Sequence, residues 1–439
     1  MKHLTFLLLA ALGTSSGTLN VVHSGFRAGP NGVPPEWTVW SARSEIAPRA
    51  FVDELHNRDA PGSLAISGNG QAAAYGGWEH TVRGVEARKW YRLVAYYQTA
   101  GLKYEPLQIV ARLDWTDGNG KRVGQPDYAY TTKPAGEWRQ ITLEAPAPER
   151  AAQAKIQLYL QNAPEGTVWW DEISLREIAT PSPRPVSVAV VNLKPRDTRT
   201  SAEAVRRFVD VVERGVTRKT DVIVLPEGIT VVGTGKGFPE IAETIPGPTT
   251  KVLGEIAKKK NSYLVAGMYE REGAAIYNTA VLLDRTGSVA GKYRKVYLPR
   301  EEIEGGLTPG SDYPVFRTDF GTVGILICWD SQYADPARAL ALNGSELLLM
   351  PIWGGNETLV KARAIENRVF IATSGYNYPT HILDPDGNQL AAATDQQGSV
   401  AYATIDLAHR YTDSWLGDMR GRFMKELRLD VKVEHPTVR

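Results

Sequence analysis

Cysteine is nearly absent: Cys328 is the only one in 439 residues. That excludes a disulfide within the chain and any cysteine-rich metal centre. Histidine is scarce too, at seven, with no pair at ligand spacing in the sequence, so no metal and no cofactor are expected. Charge of one sign is also lacking. Fifty basic residues face 49 acidic ones, a net charge of +1, so no overall field favours nucleic acid or an anionic membrane. Beyond the N-terminus no apolar run is long enough to span a bilayer.

What is present begins with Met1-Lys-His-Leu-Thr-Phe-Leu-Leu-Leu-Ala-Ala-Leu12, then the small residues Gly13-Thr-Ser-Ser-Gly17. A basic start, a short apolar stretch and small residues have the layout of a secretory signal, so 1–17 is expected to be removed on export to the periplasm or medium. A lipoprotein anchor would need a cysteine directly after that stretch, and Cys328 lies far downstream.

The length suits two domains, and 43% hydrophobic residues suffice for two cores. From 19 to 178 short strand-like runs alternate with turn residues. Leu107, Ile109, Ala111, Leu113 and Trp115 share a face at period two, and Asp117-Gly-Asn-Gly120 supplies a hairpin turn. Ile156, Leu158 and Leu160 alternate in the same way. This predicts an all-β sandwich. Trp37, Trp40, Trp78, Trp90 and Trp115 are expected chiefly in its core, with stacking on sugar rings as the alternative.

Thr180-Pro-Ser-Pro-Arg-Pro185 has three prolines in six residues, a stiff extended linker over 179–185. After it the period changes. A strand over Val186–Asn192 precedes a helix opened by a capping box, Thr200 and Glu203, with Val205, Phe208, Val209 and Val212 as its apolar stripe. Strands over 221–226 and 263–268 flank another helix. Alternating strands and helices predict an α/β domain over 186–439.

Three reactive side chains follow apolar strands in this second domain: Glu227 after Val-Ile-Val-Leu-Pro, Lys295 in Gly291-Lys-Tyr-Arg-Lys-Val-Tyr-Leu-Pro299, and Cys328 in Gly-Ile-Leu-Ile-Cys-Trp-Asp330. Strand ends are where α/β folds gather ligands. Singly, each has a plain reading: a core thiol, a turn carboxylate, a surface cation. In this order, with Leu307-Thr-Pro-Gly310, Asp335-Pro-Ala-Arg338 and Arg363-Ala-Ile-Glu-Asn367, the chain resembles the nitrilase superfamily of carbon-nitrogen hydrolases from about Pro185 onward.

That resemblance implies a four-layer αββα sandwich, a homodimer, and a Glu227-Lys295-Cys328 triad that cleaves a small amide through a thioester. Cys328 would be the nucleophile, Glu227 the proton carrier, and Lys295 with the backbone N–H of Trp329 the oxyanion donors. Lys295 would also favour the thiolate. A second, substrate-positioning glutamate is implied; Glu301, Glu302 and Glu304 compete, and Glu302 is favoured. Trp353 is a pocket candidate. Tyr297 stands where many relatives have His. Asp330 after Cys-Trp favours amidase over nitrilase. The run Gly166-Thr-Val-Trp-Trp-Asp-Glu-Ile-Ser-Leu175 resembles the last strand of jelly-roll modules on carbohydrate-active enzymes, which implies a possible glycan partner for the first domain.

Other classes fare less well. A papain-like pair would need a histidine near the thiol, and His381, His409 and His435 lie in no supporting motif. A glycan-binding protein with an inert hydrolase domain, or an acyltransferase, remains the alternative.

Overall fold

The computed structural model describes residues 19–432; the export signal expected at 1–17 and His435 lie outside them. The described chain forms two compact units that divide between Pro181 and Ser182, in the proline-rich linker.

The first unit holds two antiparallel sheets. One runs Arg49–Asp53, Ser63–Ser67, Thr167–Ile178, Trp90–Ala100, Trp138–Pro146, Thr131–Ala135, with Asn20–His23 also paired to Thr167–Ile178. The other runs Trp37–Ser41, Tyr75–Arg83, Gln153–Gln161, Ile109–Thr116, Asp127–Tyr128. The period-two sets face a shared core: Ile109, Ala111, Leu113 and Trp115 pack with Ile156, Leu158 and Leu160 and with Trp170 from the opposite sheet. Leu107 differs, lying in a short helix, Glu105–Gln108, opened by Pro106. Trp78 and Trp115 are fully buried, and each such side chain contributes about 4–6 kcal/mol of apolar burial. Their indoles are satisfied: Trp78 Nε1 donates to the Ala65 carbonyl at 3.0 Å and Trp115 Nε1 to Asp127 Oδ2 at 2.7 Å. Trp40 instead remains partly exposed and stacks on Tyr159.

The described residues from Asp413 onward also belong to this first unit, whereas the sequence predicts the second domain over 186–439. Gln125 Nε2 donates to the Trp415 carbonyl at 2.8 Å, and the helix Met419–Glu426, capped by Asp418, packs on Glu105–Gln108 and Asp127–Tyr128. Nothing in the local pattern of this segment specifies which unit it joins; long-range packing does.

The second unit has two six-stranded mixed sheets. The first runs Val289–Arg294, Ala275–Leu283, Tyr263–Glu272, Val222–Val224, Pro185–Asn192, Ser399–Asp406. The second runs Val315–Arg317, Thr322–Ile325, Leu347–Gly354, Phe370–Asn377, His381–Leu383, Gln389–Ala392. Central pairs are parallel, and such strands read as unbroken apolar runs because both faces are covered. Val188 and Val190 join Val224, Ile325 and Leu349 in a core shared by the two sheets. Ala189 and Val191 point the other way, against Phe208, Val209 and Val212 of the helix Ser201–Gly215 and Leu253 of Pro248–Lys260.

The helix Ser201–Gly215 opens as the sequence indicates, with one change. Thr200 Oγ1 accepts from the Glu203 N–H at 3.2 Å, but Glu203 returns its carboxylate to the Arg199 N–H at 2.9 Å, one residue before the cap. Among the described residues no helix is long and apolar enough to cross a membrane.

Candidate active site

Glu227 follows the strand Val222–Val224 at a bend pinned on both sides. The Gly267 N–H donates to the Pro226 carbonyl at 3.0 Å, and the Ile229 N–H to the Gly267 carbonyl at 2.8 Å. A Cβ on Gly267 would sit 2.6 Å from Glu227 Cα, so only glycine lets the neighbouring strand come this close.

Lys295 directly follows the strand Val289–Arg294. Its N–H donates to the Asn278 carbonyl and its carbonyl accepts from the Gly310 N–H, both at 2.8 Å. This is the structural content of the Pro-Gly motif at 309–310: a Cβ on Gly310 would lie 2.2 Å from the Arg294 carbonyl oxygen.

Cys328 lies three residues past the end of the strand Thr322–Ile325 and opens a 3-10 turn, Cys328–Gln332. Its φ is 43°, left-handed for a non-glycine residue, a strained conformation that survives only where its surroundings over-determine it. Asp330 supplies much of that constraint. Fully buried, it accepts from the Ile327 N–H and the Tyr297 N–H at 3.0 Å each and from the Tyr293 hydroxyl at 2.8 Å. Arg363 secures the far side, donating to the Ser331 and Gln332 carbonyls at 3.2 and 3.3 Å. The DPAR and RAIEN segments thus act as supports: the first opens the helix Asp335–Leu342, and the second carries Arg363.

The structure brings Glu227, Lys295 and Glu302 into one buried cluster. Lys295 Nζ donates to Glu227 Oε1 at 3.0 Å and to Glu302 Oε1 at 2.9 Å. Asn278 Nδ2 bridges the same two oxygens at 2.7 Å each. Glu301 and Glu304, the competing carboxylates, are exposed and pair with Arg300. Sequence reasoning missed Asn278, though its polarity inside the otherwise apolar run Ala275–Leu283 was a usable signal.

Both glutamates keep their second oxygen, Oε2, buried without a hydrogen-bond partner. One ammonium serves two carboxylates, and that sets the electrostatics. Burial alone would lower the Lys295 pKa, but Glu227, Cys328 and Glu302 raise it, so the ammonium stays charged. Glu302 is raised, by burial first and also by Glu227, against the pull of Lys295.

Burial, reinforced by the charge of Glu227, pushes Cys328 up to about 12, and Lys295 only partly offsets this. At rest Cys328 is therefore a neutral thiol, donating to the Gly354 carbonyl at 3.2 Å. Lys295 favours the thiolate, but burial and the charge of Glu227 outweigh it.

Trp329 presents a partly exposed side chain. Its N–H precedes the first bond of the turn, Asp330 N–H to the Ile327 carbonyl, in the position where helix-end donors are not used internally. Trp353 is half-buried next to Gly354, with its ring 4.8 Å from that of Tyr376 in an edge-on contact. The Tyr376 hydroxyl is buried and unpartnered, and burial and Glu227 raise its pKa. Tyr297 stacks on Tyr333 at 4.1 Å. The structure brings neither His381 nor His409 to the thiol: His381 bonds Gln389, and His409 packs on Tyr411.

Residues 187–412 match the carbon-nitrogen hydrolase family model. Human omega-amidase NIT2 is 30% identical over 47% of this chain and 84% of its own length. The Danio rerio protein of the same name is 32% identical over 51% and 88%, and a probable nitrilase of Schizosaccharomyces pombe 30% over 50% and 89%. Among solved structures, Saccharomyces cerevisiae Nit3 superposes with a TM-score of 0.46 at 23% identity, covering 51% of this chain and 90% of that one. With the family pattern spanning 187–412 and the relatives matched over most of their length, the chain belongs to the carbon-nitrogen hydrolases of the nitrilase superfamily.

Proposed function

We propose that the second unit is an amidase in which Cys328 attacks the carbonyl carbon of a small amide while Glu227 carries the protons. The observation that supports this most is the hydrogen-bonding pattern of Glu227. Its Oε1 is held by Lys295 and Asn278, while its Oε2 is buried and unpartnered and its charge acts on the Cys328 thiol.

In this reading the thiol proton passes to Glu227 Oε2 as the C–S bond forms, so thiolate develops only in the transition state. Oriented general-base transfer of this kind contributes about 10²–10⁴ in rate. The negative charge on the carbonyl oxygen is met by Lys295 Nζ and the Trp329 N–H, a donor of this sort being worth about 3 kcal/mol. Glu227 then protonates the departing nitrogen, the C–N bond breaks, and a thioester remains on Cys328. Water, deprotonated by Glu227, cleaves the thioester and regenerates the thiol. Glu302 and Asn278 position Glu227 and Lys295. Amidase is favoured over nitrilase on the family resemblance carried by Asp330 after Cys-Trp, a carboxylate that here accepts from the Ile327 and Tyr297 N–H groups and the Tyr293 hydroxyl.

The same reading carries export, on the residue layout of 1–17, and, on the resemblances alone, pairing of two chains and a jelly-roll first unit with a glycan as its candidate ligand. An ammonia-release screen over primary amides, N-carbamoyl compounds, nitriles and amidated sugars tests the function. Release from an amide class, lost by at least about 10³-fold in Cys328→Ala and by 10²–10⁴ in Glu227→Gln, is expected. Unchanged turnover in Cys328→Ala sinks the mechanism. A reactive thiol that forms acyl adducts and passes them to added amines, with no hydrolysis, makes the protein an acyltransferase.

A further inference from the structure

The first unit contains a second cluster of chemically capable side chains. His23 ends the strand Asn20–His23 of the seven-stranded sheet, and His80 lies in Tyr75–Arg83 of the five-stranded sheet. Their Nε2 atoms are 3.2 Å apart. The Glu36 carboxylate completes a set whose ligating atoms all lie within 4.8 Å of one another.

The tautomer of His80 is dictated by its partner. Its Nδ1 meets the Glu36 carbonyl at 2.8 Å, and a carbonyl only accepts, so Nδ1 carries the proton and Nε2 of the neutral ring presents a lone pair. A backbone carbonyl on the remote ring nitrogen is the arrangement that orients histidine ligands on metals. Glu36 itself has φ 67°, a left-handed conformation uncommon for a non-glycine residue. One residue thus supplies both the orienting carbonyl and a carboxylate.

We propose that His23, His80 and Glu36 form a zinc site. With Zn–N bonds of about 2.0–2.1 Å, two ligands on a tetrahedron sit about 3.3–3.4 Å apart. The observed Nε2 separation is close to that edge before any ion is bound. Binding would require the exposed Glu36 side chain to rotate across the remaining gap. Two imidazoles with one carboxylate select zinc over calcium or magnesium, which prefer all-oxygen sets. Three protein ligands leave a fourth position for water. Trp37 packs 5.5 and 5.3 Å from the two imidazole rings, and its buried Nε1–H has no acceptor. A water on the ion would offer one. Because the two histidines come from different sheets, the ion would tie the first strand of the unit across the sandwich.

The competing explanation is a plain hydrogen bond, His23 Nε2–H to His80 Nε2, with no metal. The full-length, tag-free protein is loaded with Zn2+, passed through gel filtration and its metal content measured; Co2+ is used in parallel for its absorption spectrum. One equivalent of zinc per chain is expected, with a cobalt spectrum free of thiolate charge transfer and unchanged by Cys328→Ser. The double variant His23→Gln/His80→Gln is expected to retain no zinc, and Glu36→Gln to weaken binding by at least about tenfold, each with a native circular dichroism spectrum. If the double variant does not fold, Glu36→Gln and the cobalt spectrum carry the test. Absence of stoichiometric zinc in the native protein, or unchanged affinity in Glu36→Gln together with a thiolate band, overturns the proposal.

Discussion

The Tyr293 hydroxyl donates to Asp330 Oδ2 at 2.8 Å, tying the strand that leads into Lys295 to the turn that carries Cys328. Asp330 is buried without a cation bonded to it, and burial raises its pKa to about 6 from an ordinary 3.8, despite three donors that favour the anion. A raised carboxylate stabilises the fold when protonated, below about 4, and that contribution is lost as pH rises through about 6. The stability of the native protein relative to Asp330→Asn should therefore fall between pH 4 and pH 7. Urea denaturation at the two pH values measures it, and a difference that grows with pH would mean that the three hydrogen bonds outweigh burial.

Alkylation of Cys328 by iodoacetamide should be insensitive to pH between 7 and 9. An ordinary thiol gains thiolate about tenfold per unit until its pKa near 8.5, whereas a thiol raised to about 12 reacts only when Glu227 takes its proton. Glu227→Gln should label slowly and accelerate steadily with pH beyond 9. A native rate that climbs and levels near pH 8.5 would falsify the buried-thiol reading.

Asn278→Asp should be more harmful than its size suggests. It places a third carboxylate against Glu227 and Glu302, which already share the Lys295 ammonium and the Asn278 amide. We expect a stability loss of about 2–4 kcal/mol from the added buried charge and a kcat lowered by about 10²-fold. Thermal denaturation and steady-state kinetics on the amide found in the screen read the two effects separately.

Tyr376→Phe separates substrate binding from folding. Its hydroxyl is buried and unsatisfied, so its removal should cost less than about 1 kcal/mol and can stabilise. If that hydroxyl is reserved for substrate, KM rises by about tenfold with an unchanged or higher Tm. A lower Tm with unchanged KM assigns it to packing.

Much of this is legible in the sequence. Period-two runs such as Ile156, Leu158 and Leu160, and the helical stripe Val205, Phe208, Val209 and Val212, face the cores they indicate, because side-chain direction follows from backbone period. Three prolines marked the junction of the two units. Asn278 was harder to see, since a lone polar residue in a strand has meaning only once its partners are known. His23, Glu36 and His80 were invisible as a set, because ligand spacing in sequence reports only sites built on one local segment.

The sequence by itself determined element types, the division at the linker, and the ordered Glu227, Lys295 and Cys328, since these depend on local pattern and motif order. Tertiary structure alone decided that Glu302, and neither Glu301 nor Glu304, meets Lys295, that the chain from Asp413 joins the first unit, and that Cys328 rests as a thiol. Those outcomes depend on burial and on charges brought close by distant parts of the chain. The field at a buried group is the sum over neighbours in space, which adjacency in sequence does not specify.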